Sequence, residues 1–412
     1  MSIDVDELAR RLRQAREEAG INQQDAADAI GVHRTAITQL EAGKRSVSTL
    51  ELTRLAARYG RDAAWFLSTN RSEDDVLVTL HRAVAGLENA PESKRQIDRC
   101  VALCREGVSL EGLLGHAPRK GPPTYAEPLP PTPWVAIEQG QRIAEEERRR
   151  LGLGARPITD IVGLIAEQGI WASGADLPKK MSGLFVHNAS IGLVVLVNSS
   201  HVRARRRFSY AHEYAHALLD RDRPVTVTST DNAAELIEKR ANAFAAAFLM
   251  PREGIAEVLA ALDKGQPSRM EETVFEATGG HFDAQGRSAP GSQRITYQDA
   301  ATLAHRFGVS YQAAVYRLMS LGHVTKPQGD ELLKLEAMGK DFLETLGMFE
   351  DLEGDDSKKF MDRELRRQVA GLAIEAYRRE QISRGRVLEL GKQLGIPGPK
   401  LLTLAEAARA EP

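Results

Sequence analysis

The chain has 412 residues, more than a single hydrophobic core usually holds, so two to four domains are expected. Its 55 lysines and arginines nearly balance 57 aspartates and glutamates, which excludes nucleic-acid binding through overall charge and leaves only a local basic patch. The polar start and the lack of any run of about 18 apolar residues predict neither a signal peptide nor a membrane span, and therefore a cytoplasmic protein.

The amino-terminal region, residues 8–60, reads as short helical segments in which Leu, Ala and Ile recur at helical spacing. Gly20 and Gly31 fall where turns between these segments are needed. Ala26 and Ala27 are small enough to let one helix cross another closely. This order of small residues, turn and second helix is what a helix-turn-helix requires.

Residues 7–67 resemble the Cro/CI-type (XRE) helix-turn-helix family. The positions that agree, in order, are Gln23, Ala27, Gly31, Val32, Ile37, Glu41, Gly43 and Lys44. The resemblance implies a third helix that faces base edges through His33, Arg34, Thr35, Thr38 and Gln39, with phosphates held by Gln23, Lys44 and Arg45. Because such domains usually read palindromes, a double-stranded DNA operator and a homodimer are expected. A helical interaction module that does not bind DNA is the alternative.

A proline-rich segment divides the chain, since seven prolines fall between Pro118 and Pro133 and favour extended, semi-rigid backbone. Before it, Cys100 and Cys104 lie one helical turn apart, which predicts a buried helix face rather than a disulfide framework. After it come a predicted helix at 136–151 and three apolar runs, WASGADL, SGLFVHN and IGLVVLVNSS, which predict a small sheet.

The segment RRFSYAHEYAHALL carries the pentapeptide HEYAH, an HExxH arrangement. On a helix, His212 and His216 share one face, so both imidazoles can meet a single metal ion, with Glu213 beside them. A hydrolytic zinc site needs a third protein ligand and an open position for water. The next predicted helix offers two candidates one turn apart, Glu235 and Glu238.

Together, RARRRFSYAHEYAHALLD and EKRANAFAAAFLMP resemble the ImmA/IrrE metallopeptidase family over about residues 135–255. The family pattern places the third ligand four residues before the Asn of the second segment, which implies Glu238. The resemblance then implies a zinc endopeptidase in which Glu213 accepts a proton from the attacking water. Imidazole and carboxylate also accept Mn²⁺ or another divalent ion, so the metal stays open.

Neighbouring residues have less specific interpretations. The strand SGLFVHN could pair with an extended substrate that adds to the sheet as an edge strand, or it could be a core strand. His187 and His201 are expected to lie outside the site. The arginines between Arg203 and Arg207 predict a solvated helix start with one or two ion pairs to acidic groups.

The carboxy-terminal third repeats a helix, Gly, helix pattern at residues 295–324 and again at 375–402. We interpret these as winged or helix-turn-helix-like packing units that position a protein substrate or a second stretch of DNA, with plain helical packing as the alternative. The predicted domains are a helix-turn-helix domain (1–70), a helical segment and linker (71–133), a peptidase domain (134–258), a helical extension (259–330) and a helical carboxy-terminal region (331–412).

The sequence therefore predicts a mainly α protein with a small β-sheet, an α+β fold with an all-α amino-terminal domain, a zincin-like domain and a helical end. Its predicted function is a DNA-binding regulator whose zinc endopeptidase cleaves a repressor-type protein and derepresses a stress, phage or mobile-element operon. The alternative is a non-proteolytic transcription factor or antitoxin-like repressor in which the peptidase fold is a sensor or scaffold.

Overall fold

The computed structural model describes residues 5–59, 63–67, 72–84, 86–265, 270–275, 281–286, 289, 291–349 and 362–410. It is an α+β fold, mainly helical, with a small mixed sheet, as the sequence predicts. Two compact units divide the chain, Met1–Asp75 and Val76–Pro412. Within the described ranges, no helix combines the length and apolar character needed to cross a bilayer.

The first unit is built from short helices around a small apolar core. They are α1 (Val5–Glu18), α2 (Gln23–Ile30), α3 (Arg34–Glu41), α4 (Thr49–Tyr59) and α5 (Ala63–Leu67), and the next helix along the chain is α6 (Ser72–Ala83). Gly31 ends α2 at φ 73°, a left-handed conformation that glycine adopts without steric cost. The buried side chains between the helices include Leu12, Ile37, Leu40 and Leu55.

The second unit contains a four-stranded sheet in the order β1-β3-β2-β4. Its strands are β1 (Ile170–Ala175), β2 (Met181–Asn188), β3 (Gly192–Asn198) and β4 (Val225–Ser229). β1 and β3 run parallel, whereas β2 is antiparallel to both of its neighbours. The three apolar runs picked out in the sequence form β1, β2 and β3, and β4 was not predicted.

The position of β2 overturns one expectation. Leu184 of this strand faces Leu196 of β3 on one side and Val227 of β4 on the other. Both backbone edges of β2 are therefore already paired, so the run SGLFVHN is a core strand, and the interpretation that it receives an extended substrate is wrong.

Helices cover both faces of this sheet. They are α7 (Pro91–Leu113), α8 (Pro133–Arg150), α9 (Ile161–Glu167), α10 (Arg203–Leu219), α11 (Leu236–Leu249), α12 (Arg252–Ala261), α13 (Tyr297–Phe307), α14 (Tyr311–Ser320), α15 (Lys326–Lys334), α16 (Glu336–Thr345), α17 (Arg363–Arg378), α18 (Arg384–Leu394) and α19 (Gly398–Ala410). A hairpin of β5 (Met270–Phe275) and β6 (His281–Gly286) interrupts the helices. The stretch 259–330, expected to be helical, is therefore partly β.

The side chains of β3 alternate between two hydrophobic cores. Leu193, Val195 and Val197 point into a core shared with α8 and helices α10 to α16, whereas Val194 and Leu196 point into a core shared with α7 and helices α17 to α19. Successive strand residues face opposite sides, so one strand serves both. The sheet is thus buried on both faces and forms a rigid base for the helix that follows it.

The repeated helix, Gly, helix segments pack into these cores. Gly308 and Gly395 both adopt positive φ, 64° and 66°, and end α13 and α18 as the sequence pattern predicts. Phe307 of the first segment and Leu390 of the second are buried. Plain helical packing accounts for these contacts. Cys100 and Cys104 on α7 are also buried and free, as expected.

Helices α8 and α11 approach each other closely at Gly140. At Gly140 of α8, an added Cβ would lie 2.3 Å from the carbonyl oxygen of Arg240 on α11. Any larger residue would push the two helices apart. The absence of a side chain there lets α11 lie against α8 while its other side meets α10.

Candidate metal centre

Two neighbouring helices bring three side chains together in the second unit. His212 and His216 lie one turn apart on α10, and Glu238 lies in the first turn of α11. The two Nε2 atoms are 3.2 Å apart, and Glu238 approaches His212 Nε2 at 3.0 Å and His216 Nε2 at 3.5 Å. All three residues are buried. The other candidate, Glu235, precedes α11 and is exposed.

The outer nitrogen of each imidazole is held by an acceptor. His212 Nδ1 lies 3.0 Å from Asn242 Oδ1, and His216 Nδ1 lies 2.8 Å from Asp220 Oδ2. An Nδ1–H that donates to these oxygens leaves Nε2 as the unprotonated nitrogen. The two Nε2 lone pairs and the carboxylate of Glu238 therefore converge as acceptors.

Acceptors that converge in this way favour a cation between them, and the spacing fits a metal ion. Two ligand atoms that each lie about 2.1 Å from a tetrahedral ion are about 3.4 Å from each other. The three side chains offer ligand atoms that all lie within 4.8 Å of one another. Glu238 Oε1 is buried and has no hydrogen-bond partner within the described part of the chain. Two imidazoles and a carboxylate are a donor set that divalent ions accept.

The electrostatics of the site also favour positive charge. Burial lowers the pKa of His216, but the hydrogen bond to Asp220 and the nearby carboxylates of Glu213 and Glu238 outweigh it and raise the pKa above 6.5. A surrounding that stabilises a protonated imidazole stabilises a bound cation for the same Coulombic reason.

A buried ion pair between Arg240 and Asp220 lies next to the candidate ligand His216. Arg240 of α11 donates to Asp220 Oδ1 at 2.5 Å, while the other oxygen of Asp220 faces His216. The carboxylate is thereby fixed between a guanidinium and an imidazole. Such contacts hold a ligating ring in orientation and increase its basicity.

Glu213 is placed beside the cluster but is not one of its three members. Its side chain is fully buried, and neither carboxylate oxygen has a hydrogen-bond partner among the described residues. Burial raises the pKa of Glu213, and the nearby His212 and His216 oppose the shift. A buried carboxylate that is not tied by hydrogen bonds is suited to accept a proton.

Space for Glu213 comes from Gly183 of β2. An added Cβ at that position would lie 2.5 Å from Glu213 Oε1, closer than real Cβ contacts allow. The missing side chain of one strand residue therefore admits the carboxylate to its position beneath the sheet.

A hydrogen-bonded carboxylate fixes α10 to α8. Glu147 is fully buried and accepts hydrogen bonds from the Tyr214 hydroxyl, from Tyr125 at 2.9 Å and from Arg150 at 2.6 Å. Burial raises the pKa of Glu147, but these three donors outweigh it and hold the pKa below 4.5. Tyr214 lies between the two histidines in sequence, so this network fixes the rotation of the helix that carries them.

The polar residues expected to meet DNA lie on and around α3 of the first unit. Residues exposed to solvent there are His33, Arg34, Thr35, Thr38, Gln39 and Lys44. Two others are tied to neighbouring side chains: Gln23 donates to Glu41 at 2.9 Å, and Arg45 donates to Glu51 at 2.7 Å. The exposed set forms a polar face on α3, opposite its buried Ile37 and Leu40.

Comparison with protein families finds one match within each unit. A helix-turn-helix model matches residues 12–66, and a peptidase model of the M78 family, described as an IrrE N-terminal-like domain, matches residues 165–273. The chain joins a helix-turn-helix domain to an M78 peptidase-family domain. It is accordingly a DNA-binding regulator with a peptidase-like domain.

Other comparisons add little to this assignment. No curated protein sequence matches the chain. Among solved structures, the crystal structure of ComR from Streptococcus suis is paired with it over 96% of this chain and 95% of that one, at 11% identity. The TM-score of 0.15 is too low to support a shared fold.

Sequence reasoning missed several contacts of the M78 domain. Asp220 follows His216 by four residues, a helical spacing that could have indicated its role, but nothing in the sequence indicates that Arg240 reaches it. Gly183 carries no local signal, because its importance depends on a side chain 30 residues later. His187 and His201 lie outside the three-residue cluster, as expected.

Proposed function

We propose that this protein is a transcriptional regulator whose M78 domain is a zinc-dependent endopeptidase. Its substrate in this proposal is a repressor-type protein, and cleavage derepresses a stress, phage or mobile-element operon. The observation that carries the enzymatic part is the convergence of three buried acceptor atoms from His212, His216 and Glu238 beside a second carboxylate, Glu213, that has no hydrogen-bond partner among the described residues.

In this proposal, His212, His216 and Glu238 hold the ion, with Zn²⁺ favoured and Mn²⁺ or another divalent metal as the alternative. A bound divalent ion supplies Lewis-acid chemistry, because it polarises a carbonyl and lowers the pKa of water. Glu213 accepts the proton of the attacking water and then gives it to the leaving amine. Asp220 and Asn242 keep both imidazoles oriented towards the ion.

The helix-turn-helix domain supplies the DNA-binding part. We propose that His33, Arg34, Thr35, Thr38 and Gln39 read base edges of a double-stranded operator, while Gln23, Lys44 and Arg45 contact phosphates. The exposure of α3 supports this assignment, since base contacts require side chains that are not already packed. A homodimer on a palindromic site is the arrangement we propose for the bound state.

Proteolysis can be tested with the purified chain and the proteins encoded next to its gene. Mass spectrometry after co-incubation should find one new cleavage product with wild-type protein. Replacing Glu213 by Gln should reduce cleavage by about 10²–10⁴-fold while the metal remains bound, because only the proton acceptor is lost. Replacing Glu235 by Gln is the matched control, since Glu235 is exposed and outside the cluster, and it should leave cleavage unchanged.

If no product forms with any partner, or if the Glu213 variant cleaves as fast as wild type, the peptidase proposal fails. A Glu213→Gln protein that also regulates normally in cells would favour the non-proteolytic regulator.

A further inference from the structure

A groove with a volume of about 660 Å³ lies between α8, α10, α11 and α14 of the second unit. Its lining includes three large apolar side chains that are exposed to solvent, Ile137, Val202 and Tyr316. Small side chains, among them Ala243 and Ala313, line the space between the helices. Apolar surface that is gathered in a concave site of this size is typical of a binding site. This site is called here the apolar groove.

The apolar groove adjoins the candidate metal centre. Phe208, which lines the groove, lies one turn before His212 on α10. Asn242 also lines it, and the Oδ1 atom of Asn242 lies 3.0 Å from His212 Nδ1. Lys239 lines it directly after Glu238 on α11. The groove therefore begins next to two of the three proposed ligands.

The charged side chains that line the apolar groove in the described part of the chain are all cationic. They are Arg205, Lys239 and Arg317, and no Asp or Glu is found among these lining residues. Arg317 is buried and donates to the Met250 carbonyl at 3.0 Å. Arg205 is exposed and Lys239 is partly exposed, and neither is paired with a described carboxylate. These two cations are available to a partner, and they favour an acidic one.

Only part of the arginine run at the start of α10 is solvated. Arg205 is exposed, whereas Arg206 is buried and donates to backbone carbonyls. The expectation of a solvated helix start is therefore wrong for Arg206. Arg205 extends towards β2, where its guanidinium lies 3.4 Å from the Ser182 hydroxyl. Because Ser182 precedes Gly183, which admits the Glu213 carboxylate, Arg205 connects the apolar groove to a second side of the candidate metal centre.

We propose that the apolar groove binds the cleaved region of the protein substrate, and that this region carries a large apolar side chain flanked by acidic residues. This inference rests on the proposed peptidase function and names the substrate class of that site. The apolar side chain packs among Ile137, Phe208 and Tyr316, and the flanking carboxylates pair with Arg205 and Lys239. Burial of one large apolar side chain and two charge-assisted contacts together supply the affinity.

The position of the apolar groove sets the distance between the apolar side chain and the cleaved bond. A helical turn rises about 5.4 Å, and an extended chain advances about 3.3 Å per residue. The single turn between Phe208 and His212 thus corresponds to about two residues of extended substrate. We expect the cleaved bond to lie within about two residues of the apolar side chain.

Fluorescence anisotropy with four synthetic peptides tests this inference. The full-length protein carries Glu213→Gln, so that a bound peptide is not cleaved. Each fluorescein-labelled peptide has a central Phe or Ala, with either Asp or Lys on both sides, and ionic strength is kept constant. The peptide with Phe and Asp should bind saturably. Replacing its Phe by Ala, or its Asp by Lys, should weaken binding by about tenfold or more.

Two further substitutions in the same protein locate the binding. Tyr316→Ala removes an exposed apolar side chain and should weaken binding of the Phe and Asp peptide by about tenfold. Lys239→Glu should weaken that peptide by about tenfold and strengthen the Phe and Lys peptide, because it reverses one charge. The matched controls are Leu404→Ala on α19 and Lys392→Glu on α18, both exposed and outside the groove, and neither should change binding. Circular dichroism confirms that each variant folds.

The proposal is overturned if no peptide binds, if all four bind equally, or if Tyr316→Ala and Lys239→Glu bind as their controls do. Sedimentation analysis adds one more outcome: if Tyr316→Ala abolishes a dimer and leaves peptide binding unchanged, the groove is an interface between two copies of this chain and the proposal is overturned.

The peptide assay and the cleavage assay fail separately. A wild-type protein that cleaves a neighbouring gene product, while its Glu213→Gln form binds none of the peptides, contradicts this inference and leaves the proposed function standing. Selective binding of the Phe and Asp peptide without any cleavage product supports the binding of an acidic apolar segment and contradicts the peptidase.

Discussion

The exposed face of α3 in the helix-turn-helix domain and the candidate metal centre of the M78 domain place their polar residues in opposite surroundings. Arg34 and Gln39 on α3 are exposed, whereas His216 and Glu213 on α10 are fully buried. Exposed side chains can contact a binding partner directly, and their positions depend little on the rest of the protein. A buried centre depends on side chains from other elements, so its function is sensitive to changes at residues that never touch the substrate.

Among the substitutions that test this difference, Gly183→Ala is expected to have the largest effect on cleavage. A Gly183→Ala change places a methyl group where Glu213 Oε1 now lies, with 2.5 Å between them, so the carboxylate must move away. We expect cleavage to fall by about 10²-fold, the lower end of what a general base contributes, with metal content unchanged. Rates of product formation measure it.

Gly371→Ala is the matched control for Gly183→Ala, because nothing lies within 4 Å of a Cβ at that helical position. It should cleave at the wild-type rate. A Gly183→Ala protein with full activity would show that the position of Glu213 does not matter to the reaction.

A smaller effect is expected for Asp220, which contacts the candidate ligand His216. Asp220→Asn keeps an oxygen near His216 but removes the negative charge that Arg240 and the imidazole share. Metal affinity should fall by about 10–100-fold, measured by competition with a chelator of known affinity. Asp222→Asn, in the exposed loop that follows, should not change affinity. Equal affinities in the two variants would mean that the support behind the ligand is dispensable.

These contacts also mark how far the sequence could predict the site. The spacing of His212 and His216 predicts a shared helical face by itself, because 3.6 residues make a turn. Choosing Glu238 over Glu235 needed the family pattern, since both are acidic and one turn apart. Asp220 and Arg240 meet only through the packing of α10 on α11, which local periodicity does not encode.

The fold, like the site, could be predicted from the sequence only where the local signal is strong. The run IGLVVLVNSS that predicts β3 is rich in Val, Ile and Leu, so its type is clear from the sequence. The short, half-polar VTVTS of β4 carries a weak signal, and missing it made β2 look like an edge. The hairpin of β5 and β6 was missed within a stretch expected to be helical. Pairing partners are set by tertiary contacts, and these cannot be read from periodicity.

On the DNA side, the exposed face should respond to single substitutions without any loss of stability. Arg34→Ala should weaken binding to an operator selected from random duplexes by about 1–3 kcal/mol, whereas Lys44→Ala should reduce the salt dependence of binding by about one phosphate contact. Arg54→Ala, exposed on α4, is the control. Fluorescence anisotropy at several salt concentrations gives both quantities. Unchanged binding in Arg34→Ala would remove this residue from the recognition face.

The smallest expected effect concerns stability rather than activity. Glu147→Gln weakens the network that receives Tyr125, Tyr214 and Arg150, and it should lower the free energy of unfolding by about 1–3 kcal/mol at pH 7. Urea denaturation measures it, with exposed Glu145→Gln as the control.

The pH dependence of that loss has a definite sign. The pKa of Glu147 is lower in the folded protein than its ordinary value of 4.5, so its stabilisation is present above that value and is lost as the pH falls through the folded pKa. Wild-type protein should therefore approach the Glu147→Gln variant in stability on acidification. A difference between the two that grows below pH 4 would contradict this assignment.

Metal analysis of the purified protein tests the central claim most directly. Elemental analysis should find one divalent ion per wild-type chain, and the ion should be lost from His216→Ala and from Glu238→Ala but kept by Glu235→Ala. A wild-type chain that binds no divalent ion, or a Glu238→Ala variant that binds it as tightly as wild type, would contradict a metal centre built from α10 and α11.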